Sequence, residues 1–368
     1  MLGLAGCGET SEEPEMFAFI APDNQTGDAS VDWSTDIVHR GLAATVSGIS
    51  ANTVAEARMA LVQPPTRLVY STLTRTDTPG EVRLHSVIFD LPEHQFNREF
   101  TVTGNVLQAI NRMATSIHPA THPLGATSEE VLKKWPIFRG DNLEDYGARC
   151  VALAESDPGF GAALGSCAEQ LRASSRREVL EKFLSRIQFD RGHEFAPVAM
   201  EAFGQGYMAL KDYSRSAAVF RAAAVQDARQ KNMVGYSEGL AGRYESAKQA
   251  LEEYAQLTGE QANALDSLGE VSFFCGKYKE AEQYFQAAEL KFLTNQQGVL
   301  EPMKAAAARA MAGDIPGANR MADAYFEKIG KSNPQLAAQL KPGWTAIAGA
   351  SSPELRQKLI ESELIKRP

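Results

Sequence analysis

A chain whose small residues recur at a long fixed period has few folds open to it. Here Gly204, Gly235 and Gly269 stand 31 and 34 residues apart, and Ala247, Ala281 and Ala318 stand 34 and 37 apart. Ala264–Leu290 predicts two short helices hinged at Cys275-Gly276-Lys277, with Leu268 and Gly269 in the middle of the first. Ala281, Phe285 and Ala288 line one face of the second. Small residues at Gly269 and Ala281 let the two backbones approach, and Phe285 fills the wedge between them. An earlier copy carries Ala202-Phe203-Gly204, Tyr207, Lys211-Asp212-Tyr213, Ser216, Phe220 and Ala223. The next carries Gly235, Gly242-Arg243-Tyr244, Ala247, Leu251 and Tyr254, and a weaker one Ala306, Gly313-Asp314, Ala318, Ala322 and Tyr325. A degenerate copy opens at Leu164-Gly165. One helical hairpin cannot bury its own apolar face, so the period predicts stacked neighbours.

The helix–turn–helix text and its spacing resemble the tetratricopeptide repeat, a unit of about 34 residues. The resemblance covers residues 128–368, with Ser352–Lys366 expected as a polar-backed capping helix. In such proteins the first helix of each repeat lines a concave face. By that register the face carries Glu201, Gln205, Met208, Asn232, Tyr236, Asn263, Asp266, Glu270, Phe273 and Met303. Some members grip a peptide's terminal carboxylate with basic residues and asparagine there. The matching positions here are acidic, amide or aromatic, so the expected partner is an extended or helical segment with apolar anchors and Lys or Arg flanks. It would dock against Met208, Tyr236 and Phe273.

Residues 16–118 read differently. Met16–Ala21 is a short apolar strand, followed by the turn-rich Pro22–Asp28 and an amphipathic helix over Asp32–Ser47 with Trp33, Ile37, Leu42 and Val46 inward. A short strand is expected over 49–54 and a helix over 55–61. Arg67–Arg75 and Glu81–Asp90 alternate around Thr78-Pro79-Gly80 as a hairpin, and a strand near Phe96–Val102 leads into helix Asn105–Ile117. This order resembles the TolB amino-terminal-like domain, which often precedes tetratricopeptide repeats in bacteria. The fold class expected is α+β, a small α/β domain and an all-α solenoid joined by a linker at 119–127.

The first residues, Met1–Cys7, read MLGLAGC, and Leu4-Ala5-Gly6-Cys7 resembles a bacterial lipobox, which implies lipidation of Cys7. The acidic stretch after it, to residue 15, suits a tether. The resemblance implies a protein on the periplasmic side of the envelope, most readily the outer membrane, held by lipid alone. Cys150 and Cys167 flank Asp157-Pro158-Gly159 at matching heights of a helical hairpin. They are either a disulfide or two small buried hydrophobes. Cys275 has no evident partner.

Charge narrows the function. Net charge is −9, with 14 acidic against 7 basic residues in positions 1–120. No basic block appears, which argues against nucleic acid. Gly159-Phe160-Gly161 with Gly165 lacks the preceding strand of a dinucleotide site. His118 and His122 each precede proline and cannot share a helix face. Asn24-Gln25-Thr26 is a formal glycosylation sequon, read here as loop. No catalytic, cofactor or metal residues are expected. The reading is a non-enzymatic, membrane-tethered scaffold, with a sensory or regulatory module of the kind attached to bacterial cyclases, kinases or transcriptional regulators as the alternative.

Overall fold

A computed structural model describes residues 17–20, 23–25, 32–46, 49–51, 66–91, 95–118, 121, 124–136, 138, 142–187, 189, 195–292, 300–332 and scattered positions from 334 to 344. The expected lipobox with Cys7, the helix over 55–61, His122 and the capping helix lie outside them, as do the side chains of Trp33 and Asn24.

The first part is a mixed sheet with two helices. Strands β1 (Phe17–Ile20), β2 (Asp23–Asn24), β3 (Ile49–Ala51), β4 (Arg67–Arg75), β5 (Val82–Asp90) and β6 (Gln95–Gly104) form it, in the order β3-β1-β4-β5-β6, with β2 pairing β4. Helix α1 (Asp32–Thr45) crosses between β1 and β3, which pair in parallel, as a parallel pair requires. The β4–β5 hairpin shows why its alternation is legible. Leu73, Leu84 and Ile88 point to the core, and the buried Ser71 and Ser86 sit opposite one another and satisfy each other at 2.8 Å. Helix α2 (Val106–Ile117) opens with a capping box from Asn105 to Gln108 and buries Ile110, Met113 and Ile117.

Helices then run without interruption by strand among the described residues: α3 (Glu129–Lys133), α4 (Leu143–Ser156), α5 (Gly161–Ala173), α6 (Arg177–Leu184), α7 (Pro197–Ala209), α8 (Tyr213–Ala224), α9 (Gln230–Leu240), α10 (Tyr244–Thr258), α11 (Gln261–Phe274), α12 (Tyr278–Phe292), α13 (Glu301–Met311) and α14 (Ile315–Ser332). The fold is thus α+β with a solenoid-like helical part. The division of the chain does not fall at 119–127. One compact unit is Met1–Cys167 with Arg186–Ala199, and the other is Ala168–Ser185 with Met200–Pro368. The expected linker is part of the first unit's packing. Leu124 is buried, and Gly125, at φ +79, lies so close to Gly159 that a Cβ would stand 2.4 Å from its carbonyl oxygen.

The repeat is written in contacts of one kind. A Cβ on Gly204 would strike the Phe220 ring at 2.6 Å, on Gly235 Leu251 at 2.5 Å, and on Gly269 Phe285 at 2.5 Å. Each pair is 16 residues apart, as are Ala306 and Ala322, both fully buried. Seven residues after each marker the backbone turns left-handed, at Lys211, Gly242, Gly276 and Gly313. Twelve residues after it sits a small residue with no exposure: Ser216, Ala247, Ala281 or Ala318. The hydroxyl of Ser216 donates to the Gly204 carbonyl at 3.0 Å, so even the polar variant of that position is satisfied.

Candidate functional site

The first helices of successive hairpins, α7, α9, α11 and α13, carry the residues expected on the binding face, and their surroundings divide that set. Glu201 is exposed and accepts from Gln230 Nε2 at 3.1 Å. Gln205 and Asn232 are half-buried. Asn263 donates to the Tyr254 hydroxyl at 2.8 Å. The expected anchors behave otherwise. Met208 packs in a core cluster with Phe220, Val234 and Ala250, and Phe273 and Met303 are fully buried with residues of α13 and α14. Tyr236 is buried as well. Met208 and Phe273 each lie four residues after the repeat glycine, a position that faces the following hairpin rather than open space. They hold neighbours together, so docking against Met208, Phe273 and Tyr236 is corrected.

Acidic Asp266 and Glu270 are also not open to a partner's cation. Lys304, on α13, takes both. Its Nζ donates to Asp266 at 2.7 and 2.8 Å and to Glu270 Oε1 at 2.7 Å, while the Tyr236 hydroxyl donates to Glu270 Oε2 at 2.6 Å. The ammonium also lies 5.6 Å from the Phe285 ring centroid. Three first helices are thereby joined by one polar chain. Burial pushes the Asp266 carboxyl up to about 6, against the pull of Lys304 and with the repulsion of Glu270. Burial works to lower Lys304, but Glu270 and Asp266 outweigh it and hold the ammonium above the usual lysine value. The Tyr236 phenol is pushed far up, first by burial and then by Glu270. Burial also raises Glu301, whose Oε2 is buried without a hydrogen-bond partner.

Chemically this cluster binds chain to chain. A charged lysine enclosed by two carboxylates is no nucleophile, and its acids are engaged. Sequence reading missed Lys304. The signal available was a single lysine inside the otherwise alanine-rich Met303–Ala308 stretch, 34 residues after Glu270, itself 34 after Tyr236.

A second buried charge sits nearby in sequence. Glu238, 1% exposed, is paired by Arg221 from α8 and by Arg243 at the head of α10. Two amide oxygens on α9, Gln230 Oε1 and Asn232 Oδ1, have no hydrogen-bond partner.

Cys150 and Cys167 are joined by a disulfide between α4 and α5, with Cα atoms 5.9 Å apart, so the first of the two readings of this pair holds. Cys275 is a free, half-buried thiol, pushed up by burial, that donates to the Gly239 carbonyl at 3.5 Å. Among the described residues no helix is long and apolar enough to cross a membrane, and no three His, Cys, Asp or Glu are placed to hold a metal ion. No protein-family model matches the chain, and no curated protein matches it.

Proposed function

We propose that the chain is a non-enzymatic, protein-binding scaffold of the bacterial envelope, with a TolB amino-terminal-like domain followed by tetratricopeptide repeats. The observation that carries the reading is the fixed register. A glycine or alanine in the first helix, a left-handed turn residue seven on, a buried small residue twelve on and a filling side chain sixteen on recur in four hairpins. Stacks of this kind present a row of first-helix side chains to a ligand. With the apolar anchors withdrawn into the core, the row left for a partner is Glu201, Gln205, Asn232 and Asn263. It is rich in acceptors. It suits a segment that offers N–H donors and basic side chains. Attachment through a lipidated Cys7 and a periplasmic site are part of the proposal. The Cys150–Cys167 disulfide supports an oxidising compartment.

The test is binding by the full-length protein. Partners are captured from detergent-solubilised envelope, then titrated against wild type, Glu201→Lys and Asn232→Ala. Glu201 is exposed and Asn232 half-buried, so both variants should fold. The reading expects at least one to weaken binding about tenfold and Glu201→Lys to flatten its salt dependence. Unchanged affinity and salt dependence in both would remove this face as the site. Mass spectrometry for diacylglycerol on Cys7 tests the anchor separately.

A further inference from the structure

Away from the first-helix row, a cleft of about 250 Å³ opens between the second helices α8 and α10, over the first turns of α9. That is room for a small organic molecule, just below the ~300 Å³ of drug-sized sites. Its apolar wall is made by Val234 and Ala250, both buried, and by Ala224. Its polar wall is built of donors. Arg221 comes from α8 and Lys231 from α9, and each is held by a carboxylate. Among the described residues the buried Glu238 engages Arg221 through Nη2 alone, while Arg243 takes the other oxygen and is itself steadied by Ser214 at 3.1 Å. Glu253 accepts from Lys231 on one oxygen and from Gln249 Nε2 on the other, at 3.0 Å. A guanidinium carries five N–H donors and an ammonium three, so most of both sets is not committed to these carboxylates. The Arg221 side chain is 55% exposed and that of Lys231 27%. Ser246 also lines the cleft, and its hydroxyl has no hydrogen-bond partner among the described residues.

We propose that this cleft binds a small organic carboxylate, with the carboxylate taken by Arg221, Lys231 and Ser246 and a short apolar stem laid on Val234 and Ala250. The chemistry of the walls selects the class. Two cations beside a hydroxyl match an oxyanion, and charge-assisted bonds from Arg and Lys are the strong ones. A ligand ammonium would meet both cations as like charges, and the acid that lines the cleft, Glu253, is already engaged by Lys231 and Gln249. The apolar wall favours an acid with a hydrocarbon stem over a bare inorganic anion, which would cover none of it. Order counts as much as charge. A loose surface cation gives up rotamer freedom when it grips a ligand, whereas Glu238 and Glu253 have already fixed Arg221 and Lys231 in the folded chain. The same group is offered by a free acid and by the last residue of a peptide. The cleft lies among the second helices, so the proposal stands apart from the first-helix row and its basic partner.

Ligand-observed NMR titration of the full-length protein in a chloride buffer tests it. The probes are butyrate, N-acetyl-alanyl-valine, the carboxamide of that peptide, butylamine and inorganic phosphate. Butyrate should bind saturably with a Kd of about 1–10 mM, the range open to a ligand of so few atoms, and butylamine should not bind. A peptide Kd about tenfold tighter than that of butyrate, lost in the carboxamide, assigns the site to chain ends; an equal or weaker one assigns it to free acids. Lys231→Gln should weaken butyrate about tenfold. Arg221→Lys keeps a cation for the buried Glu238 and should weaken it about fivefold, because the guanidinium fork is lost. Ala224→Leu fills the cleft without touching either ion pair, so it should abolish binding while the thermal melt is kept. The proposal is overturned if neither butyrate nor the peptide saturates below about 50 mM, or if phosphate or butylamine binds as tightly as butyrate. It is overturned equally if Lys231→Gln and Ala224→Leu bind like wild type, or if Lys231→Gln alone does so should Ala224→Leu fail to fold.

Discussion

Replacing Gly269 with alanine asks whether the close approach of α11 and α12 is a fitted contact. The added Cβ would lie 2.5 Å from Cδ1 and Cε1 of Phe285, where ordinary van der Waals contact begins near 3.4 Å. The ring has no exposure and is enclosed with Phe273, Ala281 and Met303, so it cannot swing into solvent to make the missing ~0.9 Å. Overpacking of that kind costs about 1–3 kcal/mol, while the gain in helix propensity from Gly to Ala returns about 1. The single variant is therefore ambiguous alone, and a cycle resolves it. In a Phe285→Ala background, which copies the Ala306–Ala322 pair of the last hairpin, the steric term disappears and only propensity remains, so Gly269→Ala should there be neutral or stabilising by about 1 kcal/mol. The coupling between the two sites is then about 1–3 kcal/mol. Native-state hydrogen exchange of α11 and α12 amides measures each corner of the cycle in the full chain. Additivity within about 0.5 kcal/mol would show that the glycine is not there to admit the ring, and the register drawn through Gly204 and Gly235 would fail with it.

Lys211 holds φ 62 where the equivalent residues of three later hairpins are Gly242, Gly276 and Gly313. Lys211→Gly should stabilise the α7–α8 hairpin by up to about 1 kcal/mol, read as raised protection of α8 amides, and lower protection would contradict the assigned turn. Breaking the Cys150–Cys167 bridge, which spans 17 residues, should cost about 3 kcal/mol on the chain-entropy model. That loss should register in urea unfolding of Cys150→Ala/Cys167→Ala against the oxidised wild type. A midpoint that does not move would show that the bond constrains nothing.

What the sequence made legible is what depends on spacing alone. Glycine at 204, 235 and 269 and a filling residue in the second helix read out directly, because the contact between them is local and repeats. The β4–β5 hairpin was readable for the same reason, a period of two around Thr78-Pro79-Gly80. The binding face was harder, since a helix position names a direction only once its neighbours are placed. Met208 and Phe273 sit one turn beyond the glycine, and on a lone hairpin that site would be open. Packing of the next hairpin closes it. Lys304 marks the limit more sharply. It lies two residues before its repeat marker, Ala306, where earlier hairpins carry Met233 and Ser267. The markers therefore put it out of step with Glu270, and only the bare 34-residue spacing to Glu270 pointed to the pair. A lysine stem is long enough to carry its ammonium well away from the helix position that bears it, and here the charge reaches the carboxylates of α11. Local period thus sets which helices meet, while the reach of one flexible side chain decides what the acidic row of α11 is for. That row is bound from within the chain by Lys304, so any basic partner must work on Glu201 and the α9 amides, or displace an ammonium already held by two carboxylates.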